Sequence, residues 1–269
     1  MIITPYRYPG AKNKMLPILM EHIDKMLVGK NSFCDAFVGG GSVLLEVATK
    51  YPNIKLFCCD KDFGVSSFWN IISDTETDKM EQLIEMLAVK PTVELFDSLR
   101  MEREAGKLKS AYKSLFFNRT CFSGITKSGP IGGKDQLSKY KVDCRYNYKK
   151  IKEKILACHK LLVGRTTVHS WDISDYIYLI DKDISMYCDP PYVKAGEQLY
   201  IQYMTIEEHK QLAECLNKRK SWVLSYDNDL LIPQIYKDCD IYTADSNYCI
   251  SGEKTQWNRG KSELIIIPR

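Results

Sequence analysis

The segment Ser32-Phe33-Cys34-Asp35-Ala36-Phe37-Val38-Gly39-Gly40-Gly41-Ser42 sets the fold class of this 269-residue chain. Its first six residues predict a short strand, and the glycines that follow predict a tight turn into an apolar helix at 43–48. A second apolar run at 54–59 predicts another buried strand, which ends at Asp60. This order is typical of a βαβ unit, which builds a parallel sheet through a right-handed crossover.

The same alternation of helices and strands extends over both ends of the chain. Apolar residues at helical spacing predict a helix over 15–27, and a capping signature at Thr205-Ile206-Glu207-Glu208 predicts another over 205–216. Short apolar runs predict further strands at 166–170, 184–188, 222–225, 241–243 and 263–267. We therefore predict an α/β fold with a mostly parallel, doubly wound sheet.

The character of the sequence changes between residues 75 and 159. Helices are predicted at 79–88, 94–107 and 148–162, and a polar, glycine-rich loop is predicted at 121–133. Such a loop is too long for an ordinary connection, which indicates a function. We predict one domain formed by 1–74 and 160–269, with a mainly helical insertion at 75–159.

Positive charge is concentrated in this insertion. Residues 107–160 contain 14 Lys and Arg against three acidic residues, a net charge of +11, while the whole chain carries +4. A basic block in an otherwise acidic chain is typical of a nucleic-acid contact surface. A solvated basic helix would explain 149–160 but not the loop before it.

Composition narrows the class of protein. The chain is 45% hydrophobic and 27% charged, as in ordinary globular proteins. Its ten cysteines are scattered without any CxxC pair, so no metal site is predicted. No apolar run approaches membrane-spanning length and no signal peptide is apparent, so we expect a cytoplasmic protein without a membrane partner.

The motif Asp189-Pro190-Pro191-Tyr192 follows the predicted strand at 184–188. Two prolines cannot continue a sheet ladder, so the chain must turn at the carboxyl end of that strand, where open α/β sheets bind ligands. An acid, exposed carbonyls and an aromatic ring suit a flat molecule that bears an amino group. The alternative is a strand-ending turn with a surface acid and a packed tyrosine.

The glycine-rich turn at 39–41 has neither the Walker nor the GxGxxG spacing. Asp60 lies about 20 residues on, where an acid can accept hydrogen bonds from both ribose hydroxyls. Together they predict a nucleoside site without a pyrophosphate. Lys12 could meet a carboxylate, although taken alone it is better explained as a solvated lysine before a helix.

The ordered set of motifs resembles the Dam-type DNA adenine-N6 methyltransferases over essentially the whole chain. The resemblance rests on Tyr8-Pro9-Gly10-Ala11-Lys12, Phe37-Val38-Gly39-Gly40-Gly41-Ser42, Asp60, Phe117-Asn118-Arg119-Thr120-Cys121-Phe122-Ser123-Gly124 and Asp189-Pro190-Pro191-Tyr192. It implies a Rossmann-like methyltransferase sheet, a DNA target-recognition role for 75–159, and methyl transfer from S-adenosylmethionine to adenine N6 in duplex DNA, with the base flipped out.

The resemblance also implies the site residues. Asp189 and the carbonyls of the Pro190-Pro191 turn would accept hydrogen bonds from the target amino group, while Tyr192 stacks on the base. The implied cofactor-binding residues are Tyr8, Gly10, Lys12, Phe37, Gly39, Gly41, Ser42, Asp60 and Asp172. The implied DNA-binding residues are Arg119, Phe122, Ser123, Lys127, Lys134, Lys139, Lys141 and Arg145.

One position departs from the family pattern. Lys127 stands where better-known members have a guanine-reading arginine, and lysine lacks the planar fork of that side chain. The target sequence therefore does not follow from those relatives. The partners implied are double-stranded DNA and a possible cognate restriction endonuclease, with the protein a monomer in a bacterial cell or phage-infected host. Methylation of cytosine N4 or of adenine in RNA, or an inactive DNA-binding relative, are the alternatives.

Overall fold

A computed structural model describes residues 4–7, 12, 15–103, 106–170, 180–193, 204–246 and 261–269. In these ranges the helices are α1 (Leu16–Met26), α2 (Ser42–Lys50), α3 (Phe63–Ser73), α4 (Asp78–Leu87), α5 (Val93–Met101), α6 (Gly106–Thr120), α7 (Tyr148–Leu162), α8 (Ile206–Leu216) and α9 (Leu231–Ile235). The strands are β1 (Ser32–Asp35), β2 (Lys55–Cys59), β3 (Thr166–His169), β4 (Ser185–Cys188), β5 (Trp222–Asp227), β6 (Cys239–Ser246) and β7 (Lys261–Pro268).

The seven strands form one sheet in the order β3-β2-β1-β4-β5-β7-β6. Every neighbouring pair is parallel except the two that involve β7, which runs antiparallel to both β5 and β6. Successive strand residues point to opposite faces, so Phe33 packs in one hydrophobic cluster and Cys34 in the other. Helices α1 to α3 cover the first face, and α8 and α9 cover the second. The predicted Rossmann-like, doubly wound α/β fold is confirmed.

Most predicted elements agree with the structure to within a few residues. Helix α7 spans 148–162 as predicted. Helix α8 begins with the expected capping box, in which the Thr205 side chain accepts from the Glu208 amide and the Glu208 carboxylate accepts from the Thr205 amide. β6 is longer than its apolar run because it pairs with β7 over eight residues.

The single helix predicted at 94–107 was wrong. Helix α5 ends at Met101, and the next residue, Glu102, has extended backbone angles. The Glu102 carbonyl accepts a hydrogen bond of 2.8 Å from Lys113 of α6, which fixes the break from a distant position in the sequence. Gly106, with φ of +75°, then begins α6.

The segment 75–159 shares one hydrophobic core with the helices that cover the first face of the sheet. Leu115 and Phe116 of α6 and Ile155 of α7 belong to the same buried cluster as Phe68 and Trp69 of α3. Because α6 is covered on several sides, it also buries polar residues. Among the helices that the structure describes, none has the length and apolarity needed to cross a membrane.

Candidate active site

Three carboxylates meet at one edge of the sheet. Asp35 is the last residue of β1, Asp60 directly follows β2, and Asp189 directly follows β4. Because β1 lies between β2 and β4 and all three strands are parallel, their carboxyl ends are adjacent. The sheet thus brings together acids that are far apart in the sequence.

Lys12 lies at the centre of this edge, with only 3% of its side chain exposed. Its Nζ is 2.9 Å from Asp189 Oδ1 and 3.1 Å from Glu263 Oε2, and it also donates to the Tyr192 hydroxyl. Burial alone would lower the pKa of Lys12, but the attraction of Asp189 and Glu263 outweighs burial and raises it. Lys12 is therefore a charged ammonium at neutral pH.

Asp189 is held as a hydrogen-bond acceptor. Its Oδ1 accepts from the Ser225 hydroxyl at 2.9 Å, and Ser225 Oγ lies 2.8 Å from the Tyr187 hydroxyl. Burial raises the pKa of Asp189, and the attraction of Lys12 offsets this only in part. The side chain keeps 22% of its surface exposed, so a ligand can reach it.

Tyr192 is fixed at its hydroxyl end. The hydroxyl donates to Glu263 Oε2 at 2.9 Å, while the ring lies 4.6 Å from Lys12 Nζ, measured to its centroid. Burial, followed by the negative charge of Asp189, raises the pKa of Tyr192 well above its usual value. The phenol stays neutral and its ring orientation is defined.

Glu263 is a site residue that the sequence analysis missed. It lies on β7, is 4% exposed, and is paired in register with Asp227 of β5 and Ala244 of β6. Since β7 is antiparallel, its beginning lies beside the carboxyl end of β5, at the same edge as Asp189. The signal in the sequence was a single acidic residue directly before the apolar run 264–267, at a strand position where acids are rarely buried.

The glycine turn after β1 packs closely on the structure around it. The Gly39 amide donates to Asp60 Oδ2 at 2.9 Å, and Trp69 Nε1 donates to the Gly39 carbonyl at 2.9 Å. Gly41 has φ of +72°, and a Cβ there would collide with the Trp69 ring. Glycine is therefore required at this position.

Two of the acids have strongly perturbed pKa values. Burial, with Asp62 as the next cause, raises the pKa of Asp60 to about 7. Asp35 is 2% exposed, and its Oδ1 has no hydrogen-bond partner among the residues that the structure describes. Burial, followed by Asp189, raises its pKa to about 8. Buried carboxyl groups whose pKa is raised further by a neighbouring carboxylate favour a ligand with positive charge.

The structure brings together many of the predicted site residues. Phe37, Gly39, Gly41, Ser42 and Asp60 line one turn, and Lys12 and Tyr192 lie beside Asp189. Lys12, predicted to contact a cofactor, contacts the catalytic candidates directly. The predicted residues Tyr8, Gly10 and Asp172 lie outside the described residues.

A second group of predicted residues lies on the loop after α6. Phe122 is 61% exposed, and Ser123 next to it has φ of 55°. Arg100 holds this loop by donating to the carbonyls of Thr126 at 2.7 Å and Ser128 at 3.1 Å. The structure leaves exposed the predicted basic residues Lys127, Lys134, Lys139, Lys141 and Arg145.

Arg119 lies apart from this exposed group. It is buried, and its guanidinium donates to the carbonyl of Pro5. Burial, followed by repulsion from Arg7, lowers its pKa to about 10. Arg119 therefore packs the N-terminal segment against α6 and is not accessible to a phosphate group.

Comparison with known proteins identifies the family of this chain. The family model described as D12 class N6 adenine-specific DNA methyltransferase matches residues 8–250. The type II methyltransferase M1.LlaDCHI of Lactococcus lactis subsp. cremoris is 26% identical, over 97% of this chain and 93% of its own length. The type II methyltransferase M.MjaIII of Methanocaldococcus jannaschii is 22% identical, over 71% of this chain and 70% of its own. The chain therefore belongs to the D12 class of N6 adenine-specific DNA methyltransferases.

Proposed function

We propose that this chain transfers a methyl group from S-adenosylmethionine to adenine N6 at a specific sequence in double-stranded DNA, with Asp189 and Tyr192 holding the flipped base. The observation behind the residue roles is the geometry of Asp189. It is a partly exposed acceptor at the carboxyl edge of the sheet, flanked by the aromatic ring of Tyr192 and by the buried carboxyl group of Asp35.

The residues present fit the proposed cofactor. S-adenosylmethionine supplies an electrophilic methyl group on a sulfonium, and its methionine end carries an ammonium. Among the described residues, Asp35 Oδ1 is a buried oxygen without a hydrogen-bond partner. A positive charge bound beside Asp35 and Asp60 would lower their raised pKa values and favour the ionised form of both acids. The carboxylate of Asp60 is oriented by the amides of Gly39 and Asp62, each at 2.9 Å, and would accept hydrogen bonds from ribose hydroxyls.

Asp189 would prepare the amino group for attack. The lone pair of an adenine amino group is delocalised into the ring, which makes N6 a weak nucleophile. Hydrogen bonds from N6 to Asp189 and to a carbonyl of the Pro190-Pro191 turn favour a tetrahedral nitrogen with a localised lone pair. Ser225 and Lys12 hold Asp189 Oδ1 in place, so the acceptor is oriented before the base arrives.

The 75–159 region would recognise the target sequence. Phe122, exposed at the start of the loop after α6, would wedge into a base step, and Ser123 and Lys127 follow on the same loop. Lys134, Lys139, Lys141 and Arg145 would contact phosphates. The loop is anchored by Arg100, so its residues can be held in a defined register on the duplex.

The decisive experiment expresses the chain in a host that lacks adenine methylation and sequences the DNA by a single-molecule method. We expect N6-methyladenine at one defined sequence, and its loss in Asp189→Ala but not in Glu214→Gln, a change on the exposed side of α8. Methylation of cytosine N4 would overturn the base assignment. A wild-type protein that binds S-adenosylmethionine yet labels neither DNA nor RNA would be an inactive relative.

The cofactor assignment has a test that does not depend on activity. Calorimetric titration with S-adenosylmethionine should show binding to the wild type, and binding at least about tenfold weaker to Asp60→Ala, since hydrogen bonds to charged groups are worth about 1.5–3 kcal/mol. Equal affinity for both proteins would contradict the ribose-binding role of Asp60.

The relatives named above are type II methyltransferases, which supports a cognate restriction endonuclease as a partner. DNA from expressing cells should then resist an endonuclease that cuts the same sequence when it is unmethylated. Complete cleavage of this DNA would refute protection by the protein. We propose that the protein acts as a monomer in the cytoplasm of a bacterial cell or phage-infected host. Light scattering should give a mass near 31.0 kDa.

A further inference from the structure

One oxygen of Glu263 joins the two groups that flank the catalytic candidate Asp189. Glu263 Oε2 accepts from Tyr192 Oη at 2.9 Å and lies 3.1 Å from Lys12 Nζ. The side chain is buried on β7, which pairs on both sides with other strands. Glu263 is therefore a fixed anchor, whereas neither Tyr192 nor Lys12 lies on a strand of the sheet.

The first consequence concerns Asp189. The Lys12 ammonium is 2.9 Å from the Oδ1 atom of Asp189, and Asp189 is the group that must accept a hydrogen bond from the target amino group. With Asp189 as its only anion, the ammonium would neutralise the acceptor that the reaction needs. Glu263 supplies a second carboxylate, 3.1 Å from Lys12 Nζ, so the ammonium is shared between two acids and Asp189 stays available as an acceptor beside the reacting nitrogen, where positive charge develops.

The second consequence concerns the stacking ring. A tyrosine ring at the end of a turn can rotate about two side-chain torsions unless its hydroxyl is held. Here the hydroxyl donates to Glu263, so the plane of the Tyr192 ring is set by an atom on β7. The base that stacks on this ring is then aligned with the acceptor Asp189.

We propose that Glu263 is a positioning residue for methyl transfer, which orients the Tyr192 ring and shares the Lys12 ammonium so that Asp189 remains an acceptor for the target amino group. The proposal rests on the proposed roles of Asp189 and Tyr192. Glu263 itself touches neither the base nor the methyl group in this mechanism.

The test compares Glu263→Gln with the control Glu214→Gln in single-turnover and steady-state methylation assays. We expect kcat to fall on the order of 10- to 100-fold in Glu263→Gln, as for misplacement of a reacting group. The KM for DNA and the affinity for S-adenosylmethionine should stay within about twofold of wild type, since neither binding site is removed. A purely structural role would instead lower the fraction of active protein and leave kcat per active site unchanged.

A double-mutant cycle shows whether Glu263 acts through Tyr192. Tyr192→Phe keeps the ring and removes the same hydrogen bond, so we expect the double variant Glu263→Gln/Tyr192→Phe to be no slower than the slower single variant. If the rate losses of the two single variants multiply in the double variant, Glu263 and Tyr192 act independently, which contradicts the proposal. If Glu263→Gln does not fold, a wild-type kcat in Tyr192→Phe would overturn the role of Glu263 in orienting the ring, and a wild-type kcat in Lys12→Met would overturn its role in sharing the ammonium.

The outcomes separate this proposal from the proposed function. If the wild type methylates adenine and folded Glu263→Gln keeps the wild-type kcat, only the role of Glu263 fails. If the wild type binds S-adenosylmethionine but transfers no methyl group to any adenine-containing DNA, the proposed function itself fails.

Discussion

The buried carboxyl of Asp35 should make the stability of this protein depend on pH in an unusual direction. Burial, followed by repulsion from Asp189, raises the pKa of Asp35 from 3.8 to about 8. The change Asp35→Asn keeps the shape of the side chain and one oxygen to accept from the neighbouring backbone amides, but it cannot ionise. The variant therefore shows how much an ionised carboxylate at this position lowers the free energy of unfolding.

The sign and size follow from proton binding in the two states. Folded Asp35 holds its proton up to about pH 8, whereas the unfolded chain releases it above about pH 4, so rising pH favours the unfolded state within this window. The slope is at most about 1.4 kcal/mol per pH unit. From pH 5 to pH 8 the wild type should lose about 3 to 4 kcal/mol relative to Asp35→Asn. Above pH 8 both states are ionised and the difference should become constant.

Urea unfolding followed by circular dichroism at pH 5, 6, 7, 8 and 9 measures this difference. We expect the stability of the variant relative to the wild type to increase by about 3 to 4 kcal/mol between pH 5 and pH 8. Replacing the exposed Asp238 with Asn is the matched control for the removal of one carboxyl group. Parallel stability curves for wild type and Asp35→Asn would refute the assignment of a raised pKa to Asp35.

Three further perturbations test the turn and the basic loop. Gly41→Ala should destabilise the fold by about 2 kcal/mol or more, because strain at positive φ adds to a collision with the Trp69 ring. Gly29 has a similar φ but open space around it, so Gly29→Ala is the control. An equal loss of stability for both variants in urea unfolding would contradict the collision. Arg100→Met should weaken DNA binding by about tenfold in fluorescence anisotropy with little loss of stability, because two hydrogen bonds to the loop are removed, whereas Arg103→Met should bind as the wild type does. Lys139→Gln should reduce the slope of log affinity against log salt by about 1, and an unchanged slope would exclude a phosphate contact.

Much of the fold was predictable because it depends on local patterns. The strand, the glycine turn and the helix that follow one another from residue 32 are encoded by apolar spacing and by backbone freedom at neighbouring positions. The capping box of α8 depends on residues three positions apart. Likewise, the two prolines after β4 can only end a strand. Such features need no partner from elsewhere in the chain.

The break between α5 and α6 was not predictable in this way. The charged pattern over 94–107 favours one continuous helix, and Arg100 and Lys113 look like ordinary solvated residues. In the folded protein Lys113 is buried and binds the Glu102 carbonyl, while Arg100 stacks 4.1 Å from the ring of Phe117. Their roles depend on how α6 packs against α3 and α5.

The sequence by itself determined which residue types stand at the strand ends, including Asp60 and Asp189, and hence the class of ligand. Only the tertiary structure decided their electrostatics. The reversal of β7 brings Glu263 to the edge where Lys12 and Tyr192 meet Asp189, although Lys12 and Tyr192 are 180 residues apart. Coulombic attraction and desolvation depend on distance and burial in space, and neither is set by spacing along the chain.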